Sequence, residues 1–288
     1  NDLPGFTVPS VSYGDTTAND SFTPASGSLL PTDRDASETS TFSVSGQISD
    51  TSRSGYDTLV QGVYGQLFLN SASGLWTYLP DDVAIENLSA NTSETFNFTL
   101  TDASSASVNF VFSIAISAVN DLPDLTAGAP SASLLEKGGI ANGTSGVSSS
   151  NMTLTPSDRD GTASFNTSAF TSAGWANPSA GVYTKAGTYG TATLTLSTGI
   201  VAYTLDDSDL DTQLLQAGSA VNESFTVYVI DDALNPSYGT AVFTIRGAND
   251  APTLSAAAAT ATLVEAGGVA NGSAGTSSSS ITLTLGDA

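Results

Sequence analysis

Polar and apolar side chains alternate along most of this chain, and the alternation has the period of a strand. From Thr191 to Leu205, small polar residues alternate with Ala, Leu, Ile, Val and Tyr around a Ser197-Thr198-Gly199 turn, the pattern of a hairpin. Gly65 to Leu79 repeats it, with Trp76 and Tyr78 on the return strand. Residues 224–230 and 240–246 alternate in the same way, as do Thr95–Leu100 and Val108–Ile116. Thr, Val and aromatic residues suit a pleated, half-buried surface. No segment sustains a capped 3.6-residue apolar period; Asp209 to Ala217 comes nearest, with one or two helical turns. The Ala256–Ala259 run reads as a linker or edge strand, and the Ser/Gly-rich stretches 142–151 and 271–280 as exposed loops. Several short strands with turns between them predict an all-β chain of immunoglobulin-like sandwiches.

The strands recur, and the recurrence sets the organisation. Asn120-Asp121-Leu122-Pro123 returns as Asn249-Asp250-Ala251-Pro252, a spacing of 129 residues (249 − 120), and the chain opens on Asn1-Asp2-Leu3-Pro4. The same spacing carries Glu136 onto Glu265, Asp158 onto Asp287, Asp102 onto Asp231, and Glu94 onto Glu223. In the middle of the first repeat the spacing drops by a few residues, as loop insertions produce. The expected units are 1–119, 120–248 and the first part of a further repeat, 249–288, strung end to end. The chain begins and ends inside repeat units and so reads as a piece of a longer polypeptide. Each Asn-Asp-x-Pro is expected to be a joint, with Pro123 holding Leu122 extended.

Charge narrows the function. Charged residues make up 12% of the chain, and 28 acids face 6 bases, for a net charge of -22. That excludes a nucleic-acid grip and argues against docking on anionic lipid. It suits attraction of cations. With no cysteine and no histidine, zinc and thiol or imidazole catalysis are set aside. No apolar run approaches the roughly 18–20 residues of a membrane span, so direct membrane insertion is not expected.

The acids fall at five positions in each repeat. They are the joint (Asn120-Asp121, Asn249-Asp250), a Glu soon after it (Glu136, with Asp15 as stand-in in the first repeat), and an Asp-x-Asp (Asp33/Asp35, Asp158/Asp160, with Asp287 opening a third). An Asp-Asp follows the hairpin (Asp81/Asp82, Asp206/Asp207), and an Asp ends a late strand (Asp102, Asp231). Calcium takes about six to eight oxygens, mostly carboxylate, and Asp-x-Asp on an extended segment points both carboxylates one way. The acids of two adjacent repeats can meet at one linker, repelling without metal and clamping with it. A glycosidase pair is the competing chemistry for Asp-Asp, but its recurrence in each repeat argues against catalysis. Trp76 and Trp175 are expected in core or edge packing, with a sugar-stacking platform as the alternative.

In that order, these motifs resemble the cadherin calcium framework. They are more closely similar to the cadherin-like and VCBS-type repeats of giant bacterial surface adhesins of the RTX group. The carriers are Thr195-Leu196-Ser197-Thr198-Gly199 running to Tyr203-Thr204-Leu205-Asp206, and Gly247-Ala248-Asn249-Asp250-Ala251-Pro252. The resemblance implies one calcium joint built from Asp81, Asp82, Asn120, Asp121, Asp158, Asp160 and Asp231. It implies a second from Glu136, Asp206, Asp207, Asn249, Asp250 and Asp287, and half of an earlier one from Asn1, Asp2, Asp33, Asp35 and Asp102. Cadherins usually carry an Asp where Ala118 and Gly247 stand here, which implies fewer or weaker calcium sites per joint than in cadherins. The function implied is an extracellular, non-enzymatic extender of an adhesin, stiffened by calcium and serving cell adhesion or biofilm formation. Its partners would be the neighbouring repeats. The alternative is a fibre or surface-layer subunit that pairs with other copies of itself.

Overall fold

The computed structural model describes residues 3–32 and 39–286. The fold is all-β, with three short α-helices among the described residues, and its chain separates into two compact units. The first comprises 1–124 together with 156–164 and 229–237; the second comprises 125–155, 165–228 and 238–288.

The expected hairpins form the heart of each sandwich. In the first repeat, Gly65–Leu69 pairs antiparallel with Leu75–Pro80, inside a sheet that also contains Ala25–Ser28, Thr58–Gln61 and Ile48–Ser49. The opposing sheet runs Val11–Gly14, Ser107–Ser117, Thr92–Thr101, Thr41–Val44. Val11–Gly14 joins it parallel to the last strand, with Ile114 opposite Val11. The second repeat repeats the scheme. Gly190–Thr195 pairs antiparallel with Ile200–Leu205, and Leu134–Leu135 lies parallel to Pro236–Arg246. The alternation works as predicted because inward residues of both sheets meet: Tyr78, Phe96, Phe98 and Phe112 are buried, with Trp76 5.0 Å from Phe112. In the second repeat Tyr203 stacks on Phe243 at 5.1 Å. Trp76 and Trp175 are 3% and 2% exposed, so both are packed and neither forms a surface platform.

The helices are too short for sequence periodicity. Leu210–Gln213 lies within the stretch that came nearest to a helix, capped by Asp209. Asp82–Glu86 and Thr167–Ser172 are additional, each about one turn, started by the side chains of Asp81 and Asn166 on the amides of Ala84 and Ala169. The stretch 142–151 is a loop only in its first part, since the strand Ser149–Ser157 begins within it and Ser150 is buried. Thr253–Ala256 is an edge strand paired with Leu283–Gly286.

One buried polar device occurs in both repeats. The Glu94 carboxylate accepts from the Tyr78 hydroxyl at 2.6 Å and from the amides of Val63 and Tyr64. Glu223 does the same with Tyr203, Thr188 and Tyr189. A Cβ on Gly62 or Gly187 would overlap these carboxylates, which is why glycine stands at both. The loops they hold present Tyr64 and Tyr189 carbonyls to the amides of Asp81 and Asp206, at 2.8 and 2.9 Å. Each device thereby fixes the start of an acidic segment. Tyr78→Phe should lower the unfolding free energy by about 1–3 kcal/mol, because one buried carboxylate oxygen loses its donor. Urea unfolding checks this; an unmoved midpoint would mean that the hydroxyl is replaceable.

Candidate metal centre

Two clusters of acids form, one inside each unit. In the first, the strand Val11–Gly14 delivers Asp15, which is 5% exposed. Its oxygens accept from the amides of Thr16 at 2.9 Å and Val119 at 3.1 Å. The helix Asp82–Glu86 ends on Glu86, also buried, which accepts from the Asp20 amide at 3.0 Å. Asp15, Asp20 and Glu86 each bring a carboxylate oxygen within 4.8 Å of the others.

The joint residues lie against this group. Asn120 donates to Asp231 at 2.8 Å and to the Asp121 carbonyl at 2.5 Å. The Asp121 amide donates to Asp160 at 3.3 Å. Asp121 is 3% exposed, and its Oδ2 is buried with no hydrogen-bond partner. Burial, then the charges of Glu86, Asp15 and Asp160, raise its pKa to about 6, with Arg159 pulling the other way. Asp158 Oδ2 is likewise buried without a partner, and burial raises that group too. Burial pushes Glu86 up, opposed by the Asp20 amide. For Asp231, burial pushes upward, but hydrogen bonds from Asn120 and Asn235 outweigh it and leave the pKa lowered.

The second cluster repeats the logic. Glu136 is fully buried, and its Oε1 accepts from the Ala248 amide at 2.7 Å. This is the bond that Asp15 makes with Val119 in the first repeat, so Asp15 does stand where Glu136 stands. Glu136 Oε2 and both carboxylate oxygens of Asp250 are buried with no partner. Burial raises the Glu136 pKa, and the charges of Asp250 and Asp207 add to the effect. Asn249 donates to the Asp250 carbonyl at 2.7 Å, as Asn120 does to that of Asp121. Gly138 approaches this joint closely: a Cβ there would lie 2.9 Å from the Asn249 carbonyl oxygen. Asp207 accepts from the Lys137 amide at 3.0 Å and pairs with its ammonium at 3.4 Å.

Other expected ligands have local hydrogen bonds. Asp81 caps its helix, and Asp82 accepts from the Phe22 amide and the Ser21 hydroxyl, each at 3.0 Å. Asp206 accepts from the Ser208 amide and hydroxyl. Asp102 accepts from the Ala106 amide, in the same turn that Asp231 forms with Asn235. Asn1, Asp2, Asp33, Asp35 and Asp287 lie outside the described residues. Asp20 and Glu86 were not legible as ligands, and Asp15 was legible only as a stand-in. The one signal for Glu86 was its place one turn beyond Asp82.

Buried, unpartnered anionic oxygens beside further carboxylates are unfavourable unless a cation completes them. All the donors here are hard oxygens, which suits calcium. Tandem immunoglobulin-like sandwiches, with an acidic cluster beside Asn120-Asp121 and another beside Asn249-Asp250, therefore define the class. Among solved structures, the chain is similar to cadherin domains. Protocadherin Gamma B2 extracellular cadherin domains 3-6 overlay with a TM-score of 0.37 and 14% identity, over 87% of this chain and 49% of that one. Drosophila N-cadherin EC1-4 gives 0.32 and 15%, over 86% and 50%. Human CDH23 EC21-23 gives 0.32 and 13%, over 86% and 70%. The chain spans about half the length of the first two. No protein-family model matches the chain, and no curated protein does.

Proposed function

We propose that this chain is a structural extender segment of an extracellular bacterial adhesin, with calcium held at its Asn-Asp joints, serving cell adhesion or biofilm formation. The observation that carries the reading is the set of buried carboxylate oxygens without a hydrogen-bond donor among the described residues, on Asp121, Asp158, Glu136 and Asp250. Asp15, Asp20, Glu86, Asp121, Asp158, Asp160 and Asp231 would hold metal at the first joint, and Glu136, Asp207 and Asp250 at the second. Bound calcium would supply the positive charge that these groups lack and turn repulsion into a clamp. The boundaries 1–119, 120–248 and 249–288 belong to this proposal, as do the bacterial and VCBS-type assignments, which rest on the sequence motifs. Among the described residues, no helix is long and apolar enough to cross a membrane.

Small-angle scattering tests the mechanical claim. Calcium should give the profile of a stiff particle and excess chelator that of a flexible one; superimposable profiles would remove calcium from the joints. Calcium at a hundred times its dissociation constant should also raise stability by about 2.7 kcal/mol. Thermal unfolding reads that gain, and no shift at millimolar calcium would contradict it.

A further inference from the structure

The triplet that supplies two carboxylates to the first cluster also supplies a base. Arg159 stands between Asp158 and Asp160, and the same triplet occurs as Asp33-Arg34-Asp35. The Arg159 Nη1 atom lies 3.1 Å from Glu86 Oε2 and also donates to Asn19 Oδ1. The Glu86 side chain is 2% exposed, whereas that of Arg159 is 46% exposed. A nearly dehydrated carboxylate is thus met by a cation reaching in from the surface. Only 6 bases occur in the chain, and one of them is placed on the buried acid of this cluster. The buried glutamate of the second cluster is met differently: Lys137 pairs with Asp207, and Glu136 Oε2 has no partner among the described residues.

We propose that Arg159 is a resident cation of the first cluster. It neutralises Glu86 when no metal is bound, holds the Asp158–Asp160 segment against the helix Asp82–Glu86, and competes with a divalent ion for the Glu86 carboxylate. Glu86 is thereby neutralised without metal, while Asp121 Oδ2 and Asp158 Oδ2 of the same cluster still lack a partner, and the cluster binds metal less tightly than its carboxylates alone would. In the second cluster the buried glutamate itself, through Glu136 Oε2, is left to the metal. A guanidinium suits this role because it keeps its charge at all relevant pH values and gives up little hydration.

The competition half of the inference rests on the calcium reading; the metal-free half does not. The test uses the full chain as wild type, Arg159→Gln, Arg159→Lys, Glu86→Gln and the Glu86→Gln/Arg159→Gln double variant. In chelator, Arg159→Gln should lower the unfolding midpoint by about 5 °C. Arg159→Lys should restore part of the loss, and the change to Gln should do nothing in the Glu86→Gln background. In calcium titrations, Arg159→Gln should bind about ten-fold tighter, because a nearby positive charge is gone. An unmoved midpoint, additive single effects, or calcium affinity that is unchanged or weaker would overturn the proposal. Wild type that takes up no calcium would defeat the calcium reading, while the metal-free comparison would still decide the role of Arg159.

Discussion

Asp121→Ala is expected to weaken calcium uptake at the first joint by at least about 100-fold, the upper end of what even outer-shell partners cost a metal site. Asp121 is the joint's own carboxylate. Its backbone amide is tied to Asp160, Asn120 beside it is tied to Asp231, and its Oδ2 has no protein donor. Removing it deletes a buried carboxylate from the centre of the cluster. Both sandwiches should stay folded, because the cores around Tyr78 and Tyr203 do not include it. Calcium titration with circular dichroism on the same sample measures both effects. Loss of β signal from both repeats would show that Asp121 is a core residue and not a clamp.

The second large effect is on pH. Without calcium, the protein should become more stable as pH falls from about 7 to about 4.5, the reverse of ordinary acid denaturation. Asp121 is raised from 3.8 to about 6, so the folded state binds its proton more tightly than the unfolded chain does. That stabilisation is fully present below the unfolded value and is lost as pH rises through the folded one. For Asp121 it is on the order of 3 kcal/mol. Glu86, Glu136 and Asp158 are raised in the same sense, each chiefly by burial. Asp231 opposes them, since its lowered pKa gives a stabilisation that is lost on acidification. With calcium present the slope should reverse, because the ion needs ionised carboxylates and protons compete with it. Unfolding midpoints against pH, with and without calcium, should cross; parallel curves would mean that these acids do not bind the ion.

Fold and site were legible to different depths, for physical reasons. Side-chain alternation in Thr191–Leu205 and Gly65–Leu79 is a local signal, so both hairpins could be read directly. The repeated Asn-Asp-x-Pro could be read from its fixed spacing alone, and in the fold Asn120 and Asn249 each donate to the carbonyl of the Asp that follows. Short helices such as Asp82–Glu86 escaped, since one turn shows no period. Glu86 escaped as a ligand for the same reason, and because its partners Asp20 and Arg159 lie 66 and 73 residues away in the chain. Asp81, Asp82 and Asp206 illustrate the opposite difficulty: their letters read as ligands, and in the fold their carboxylates accept from Ala84, from Phe22 and Ser21, and from Ser208. Arg159 looked like the variable residue of Asp-x-Asp, and only the fold places it on Glu86.

The measurement that tests the central claim most directly is a calorimetric calcium titration of the metal-free chain near pH 6, run in two buffers of different ionisation enthalpy. Calcium displacing the proton held by Asp121 should give saturable uptake whose apparent heat differs between the buffers, and Asp121→Ala should remove the first joint's share of both. Absence of uptake at millimolar calcium would contradict calcium at these joints. Uptake left intact by Asp121→Ala would contradict the placement of the ion.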